Sequence, residues 1–151
     1  MASGRVLIIC HSSHHGNTRR VADAMAMELE ATILPPEKVH VEQLEEYNLV
    51  GWGSGIYFGR HATSLIQLAK SLPQQPRNAF VFSTAGLPFL RWLFHSSLRR
   101  ALQSRGCQVL GEFNCAGWDT VGPLAWFGGI ERKHPNEKDL QRARAFARSL
   151  A

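Results

Sequence analysis

One stretch constrains the fold more than any other: the apolar run Val6-Leu7-Ile8-Ile9-Cys10, followed at once by His11-Ser12-Ser13-His14-His15-Gly16-Asn17-Thr18 and a helical pattern. A strand that is apolar at every position leaves no face for water, so both its faces must be covered. The helix expected from about Thr18 places Val21, Ala22, Met25 and Leu29 on one stripe, suited to covering one of them. A strand that passes directly into a crossover helix begins a parallel sheet, because a hairpin would return after a tight turn.

The alternation continues along the chain. Thr32-Ile33-Leu34 reads as a short second strand closed by Pro35-Pro36, and Leu49 to Gly53 as a third. A helix follows, with Leu65, Leu68, Ala69 and Leu72 at i, i+3, i+4 and i+7 before Pro73 stops it. Ala79-Phe80-Val81-Phe82 is the fourth strand; Leu98, Ala101 and Leu102 mark a helix ending near Gly106; the fifth strand runs from about Cys107 to Cys115. Asn136, after Pro135, is the expected N-cap of a last helix whose stripe is Leu140, Ala143, Ala147 and Leu150. The expectation is an α/β domain over residues 1–151, an open doubly wound five-stranded parallel sheet with helices on both faces.

Composition narrows the function classes. Hydrophobic residues make up 44% and charged residues 19% of the chain, enough for a real core. The longest apolar run is too short to cross a bilayer, and no small-residue cleavage site follows it. No signal peptide or stable membrane anchor is therefore expected, and the expected location is cytoplasmic. Cys10, Cys107 and Cys115 cannot all pair and form no C-x-x-C, so they read as reduced thiols. Lys and Arg outnumber Asp and Glu by 17 to 12, a net charge of +5. The positive residues are dispersed, as Arg19-Arg20, Arg99-Arg100, Arg132-Lys133, Arg142, Arg144 and Arg148, which reads as solvated helix faces. No nucleic-acid motif accompanies them, and no nucleic-acid partner is expected.

Ligands of open parallel sheets bind beyond the carboxyl ends of the strands, where the strand order reverses. Ser13, His14, His15, Gly16, Asn17 and Thr18 after the first strand have the parts of a phosphate cradle: hydroxyl donors, a glycine allowing close backbone approach, and a helix N-terminus. A capped strand-to-helix turn is the bland alternative. After the third strand, Gly53, Ser54, Gly55, Ile56, Tyr57, Phe58 and Gly59 suit a loop that lays backbone and a ring against a flat ligand. Ser83, Thr84, Ala85, Gly86, Leu87 after the fourth strand are again small and hydroxyl-bearing. Either loop alone is an ordinary turn; three at one sheet edge are not. A Gly-Lys-Ser/Thr tripeptide is absent, and a dinucleotide fingerprint fails because Ile56 and Phe58 stand where its third glycine is needed. His11, His14 and His15 have no carboxylate beside them, and the phosphate cradle already accounts for them, so no metal is assigned. Asp119, after the fifth strand, reads either as a proton donor or as a residue that orders its loop.

In combination, Ser13-His14-His15-Gly16-Asn17-Thr18, Gly53-Ser54-Gly55-Ile56-Tyr57-Phe58-Gly59 and Ser83-Thr84-Ala85-Gly86 resemble the three FMN loops of the flavodoxin family. The likeness extends through Tyr47 to Gly51, Cys115 to Thr120 and Arg132 to Leu140. It implies the flavodoxin-like strand order 2-1-3-4-5 and a single non-covalent FMN. Ser13 to Thr18 would hold the ribityl phosphate. Ile56, Tyr57, Phe58 and Gly59 would bracket the ring, with Tyr57 or Phe58 stacking, and Ser83 to Leu87 would meet its pyrimidine edge. The family role is an electron carrier between redox proteins, a reductase-like donor and an acceptor, with no catalytic residue assigned. A small FMN-dependent oxidoreductase, quinone-linked or like a protoporphyrinogen oxidase, is the alternative. The chain departs from the family pattern in two respects. The third loop has no clear stacking tyrosine, leaving Leu87, Phe89 or Trp92, and the chain is basic where electron-carrier flavodoxins are acidic.

Overall fold

A computed structural model of the chain describes residues 4–12, 16–57, 60–85, 95–116 and 135–150. The expected sites at Ser13, His14, His15, Phe58, Gly59, Gly86, Leu87 and Asp119 lie outside the described residues.

In chain order the elements are β1 (Val6–His11), α1 (Asn17–Leu29), β2 (Thr32–Leu34), β3 (Leu49–Tyr57), β4 (Arg60–His61), α2 (Thr63–Lys70), β5 (Arg77–Ala85), α3 (Ser96–Ser104), β6 (Cys107–Ala116) and α4 (Glu137–Leu150). Two 3-10 turns, Pro36–Lys38 and Val41–Glu46, were not anticipated; they carry the chain from β2 towards β3 and bury Leu44. The main path of the sheet is β2-β1-β3-β5-β6, all parallel, which is the expected order 2-1-3-4-5 once the short antiparallel β4 is set aside.

Side-chain alternation sends each strand to two cores. On one face Leu7, Ile9, Val50, Trp52, Ala79 and Val81 meet Leu65, Ile66 and Ala69 of α2 and Leu98, Ala101 and Leu102 of α3. On the other, Ile8, Cys10, Phe80, Phe82, Phe113 and Cys115 meet Val21, Ala22 and Met25 of α1 and Ala143 and Ala147 of α4. Each fully buried large apolar side chain contributes about 1.5–3 kcal/mol relative to exposure. The three cysteines are free and buried, as expected. Burial pushes the Cys10 and Cys115 thiols up to about 12, so they behave as small apolar groups.

Two strand ends differ from the sequence expectation. β3 was expected to stop at Gly53 and the fourth long strand at Phe82, yet they run on to Tyr57 and Ala85. The reason is tertiary. Ser54 pairs in register with Ser83, and Gly55 with Thr84, so residues that favour turns in isolation are held in the ladder by strands on either side. Gly51 and Gly53 lie opposite Phe80 and Phe82, and a methyl group on either glycine would run into the facing ring. The Asn136 cap forms as expected: Asp139 N–H donates to Asn136 Oδ1, and Asn136 N–H returns a bond to Asp139 Oδ2. Among the dispersed cations, Arg19 pairs with Asp23, Arg144 with Glu137 and Arg148 with Glu28. Among the described residues, no helix is long and apolar enough to cross a membrane.

Candidate functional site

Both cores turn polar at the carboxyl ends of the strands. On the α1–α4 face the sequence of inward residues along β5 is Phe80, Phe82, then Thr84; on the α2–α3 face it is Ala79, Val81, then Ser83. Polar groups placed this deep need partners, since an unpaired buried hydroxyl costs about 1–3 kcal/mol.

The first cluster joins the β1–α1 turn to the end of β5. Thr18, at the start of α1, and Thr84 are both buried, and their hydroxyl oxygens lie 2.8 Å apart in a hydrogen bond. Gly16 is the N-cap residue of α1 with φ of 69°, a left-handed conformation that suits glycine, and it supplies no side-chain cap. Among the described residues, no atom lies within 4 Å of where its Cβ would be, so the space beside Gly16 is open on their side. The first turn of α1 carries no acidic residue, and Arg19 N–H donates to Ser12 Oγ at 3.2 Å. Among the described residues, the start of α1 thus has open space beside its N-cap and no acidic side chain in its first turn to offset the positive end of the helix.

The second cluster fills the α2–α3 side. Ser54 Oγ donates to Gly55 O at 2.6 Å and accepts Ala62 N–H at 3.0 Å. With its own proton spent, it accepts from His61 Nδ1 at 2.9 Å, which leaves Nε2 of that imidazole as the lone-pair nitrogen. His61 Nε2 is buried and has no partner among the described residues. Burial, helped by neighbouring His95, pushes the pKa of His61 well below its usual value, so the ring is neutral. The two imidazole centroids are 4.9 Å apart.

His95 stands at the N-terminus of α3 and ties polar groups of β5 and β6 together. Its Nε2 lies 2.6 Å from Ser83 Oγ, and its Nδ1 lies 2.8 Å from Glu112 Oε1. Asn114 Nδ2 donates to the same Ser83 Oγ, while Asn114 Oδ1 has no partner among the described residues. Arg99 Nη1 donates to both carboxylate oxygens of Glu112, each at 2.8 Å. Burial alone would raise the Glu112 pKa, but the bonds from His95 and Arg99 and the Arg99 charge outweigh it and hold the carboxyl below its ordinary value.

The structure therefore brings Gly16, Asn17, Thr18, Ser54, Gly55, Ile56, Ser83 and Thr84 to one end of the sheet, as their positions after β1, within β3 and within β5 require. Tyr57 and Ala85 end their strands at the same edge. The Ser54 and Ser83 hydroxyls are spent within the protein, and the backbone of both residues is held in the ladder, so they shape the site rather than offer free donors to a ligand. His61, His95, Glu112, Arg99 and Asn114 were not anticipated. The available signal was a histidine shortly after each of the second and third loops; nothing in the chain marked Glu112 as their partner.

Comparison with known proteins agrees with this fold. The flavodoxin-domain family model matches residues 8–87, more than half the chain. An uncharacterized protein of Methanocaldococcus jannaschii is 44% identical over 146 residues, covering 97% of each chain. Among solved structures, a flavodoxin of Streptococcus pneumoniae superposes with a TM-score of 0.68 at 16% identity, over 96% of this chain and 97% of that one. Oxidised flavodoxin 2 from Bacillus cereus does so with a TM-score of 0.67 at 18% identity, over 95% and 94%. At such identities the superpositions speak for the fold.

Proposed function

The chain belongs to the flavodoxin family, and from that premise we propose that it binds one FMN without a covalent bond and carries electrons between redox proteins. The observation that carries the reading is the N-terminal end of α1, where, among the described residues, Gly16 in a left-handed conformation leaves space open beside a first turn that holds no acidic side chain. A terminal phosphate fits that chemistry, because amide N–H groups and the helix dipole favour a dianion with no cation needed. Ser13 to Thr18 would hold the phosphate, with the Thr18 hydroxyl able to donate to it while accepting from Thr84. Ile56, Tyr57, Phe58 and Gly59 would flank the ring, and Ser83, Thr84, Ala85, Gly86 and Leu87 would meet its polar edge.

Bound FMN would supply a group that accepts electrons singly or in pairs. The chain's contribution would be to bind it, orient it and exclude water from it. Expected partners are a reductase-like donor and an acceptor protein, and the expected location is the cytoplasm. Anaerobic titration of the purified protein loaded with FMN tests the role. Reduction in two separate one-electron steps supports the carrier; a single two-electron step with turnover of a quinone makes it an enzyme instead. Flavin released on denaturation and separated by chromatography tests the cofactor, with FMN expected and FAD alone refuting it.

A further inference from the structure

We propose that His95 is the proton-holding residue of this redox site, a buried imidazole that takes up one proton when an electron arrives and releases it when the electron leaves. The inference rests on the FMN reading above and concerns its regulation by protons.

Ser83 is the pivot. It sits at the end of β5, next to the residues expected at the polar edge of the ring, and its hydroxyl is the partner of His95 Nε2 at 2.6 Å. In the neutral state every proton has an address. His95 Nδ1–H donates to Glu112, Ser83 O–H donates to His95 Nε2, and Asn114 Nδ2–H donates to Ser83 Oγ. Adding one proton at His95 Nε2 reverses one bond: Nε2–H now donates to Ser83 Oγ, and the Ser83 proton must turn elsewhere. Asn114 supplies the acceptor, because its amide oxygen is buried and has no partner among the described residues. Turning that amide over presents Oδ1 to Ser83. The same four side chains thus support two networks that differ by one proton.

The surroundings favour His95 over its neighbour as the site of that proton. Among the described residues, the groups facing it are Ser83 from β5, Glu112 from β6, Arg99 from α3 and His61 from β4. The Glu112 carboxylate stabilises a charged His95 directly, whereas His61, among the described residues, hydrogen-bonds to Ser54 and has no counter-charge. Glu112 and Arg99 are about one-fifth exposed, so the network reaches water on their side. The balance is simple. A reduced redox protein gives up one electron and is oxidised, the site gains that electron, and one proton from water adds to the lone pair of His95 Nε2. No covalent bond to the cofactor is involved. The low dielectric of the interior makes a nearby negative charge felt strongly at such a group.

The test uses protein labelled with 15N in its histidines and loaded with FMN. The His95 ring is assigned by its loss in His95→Gln and titrated by NMR in the oxidised and fully reduced states. The titration midpoint is expected to rise on reduction by roughly one pH unit or more, as for a group that gains a close opposite charge. Equal midpoints in the two states overturn the proposal, and this measurement needs only the wild-type fold. Independently, the potential of the bound FMN should bend with pH near the His95 midpoint. The bend should move to lower pH in Glu112→Gln, and an unmoved bend also overturns the proposal. Folded wild-type protein that fails to bind FMN refutes the cofactor reading, and the present inference with it; FMN binding with an unresponsive His95 refutes the inference alone.

Discussion

Replacing Thr18 or Thr84 by valine tests whether the two loops are joined as the structure has them. Valine matches threonine in shape, so each substitution removes a hydroxyl with little change in packing. Both residues are nearly inaccessible, at 2% and 5% exposure, so water does not replace the lost partner. Each single variant leaves one orphaned hydroxyl and should lose about 1–3 kcal/mol of stability. For a chain of this size, that is roughly 2–4 °C of Tm per kcal/mol. The double variant leaves no orphan and should return to within about 1 kcal/mol of wild type. Urea unfolding of the FMN-free proteins gives the cycle, in which the double variant should lose clearly less than the sum of the two singles. Binding of FMN, followed by fluorescence, separates the cofactor role. Thr18→Val should weaken it by about a further 1–3 kcal/mol, about 5- to 150-fold in Kd, while Thr84→Val keeps the Thr18 donor and weakens it less. Additive losses in the cycle, with the double variant as unstable as the sum of the singles, would refute the 2.8 Å bond and the joining of the loops.

Further outcomes follow from the same geometry. Gly53→Ala should cost about 1–3 kcal/mol in urea unfolding, because its methyl meets the Phe82 ring, and Phe82→Leu in the same background should recover part of the loss. Gly16→Val should weaken FMN binding and cost about 1–2 kcal/mol through the left-handed φ, with Gly16→Asn milder; equal effects would place the cost in bulk, which the open space argues against. His61 is held neutral in the fold while its unfolded form protonates near pH 6.5. Its contribution is therefore complete above that pH and falls as pH drops below it, by at most about 1.4 kcal/mol per pH unit. Glu112, held low, adds its own loss only below about pH 4.5. Thermal melts between those limits should show a slope that His61→Asn flattens, and an unchanged slope would mean that His61 is not buried neutral.

What the sequence determined by itself was local. A strand without a polar position, a helix stripe three and four residues apart, and a proline followed by an asparagine each carry their physical reason within a few residues, so β1, α1 and the Asn136 cap were legible in outline. The five-stranded order and the meeting of three glycine- and hydroxyl-rich stretches at one edge were legible too, through the resemblance of those stretches to a known family. Tertiary structure alone decided what the hydroxyls do. Ser54 and Ser83 read as loop residues because serine favours turns, but the parallel register, set by crossovers rather than by neighbours in sequence, draws them into the sheet. Gly51 and Gly53 owe their small size to rings on another strand. The network of Ser83, His95, Glu112 and Asn114 joins residues on β5, α3 and β6. A histidine's chemistry depends on its burial and on what it faces, and neither exists until the strands have been brought side by side.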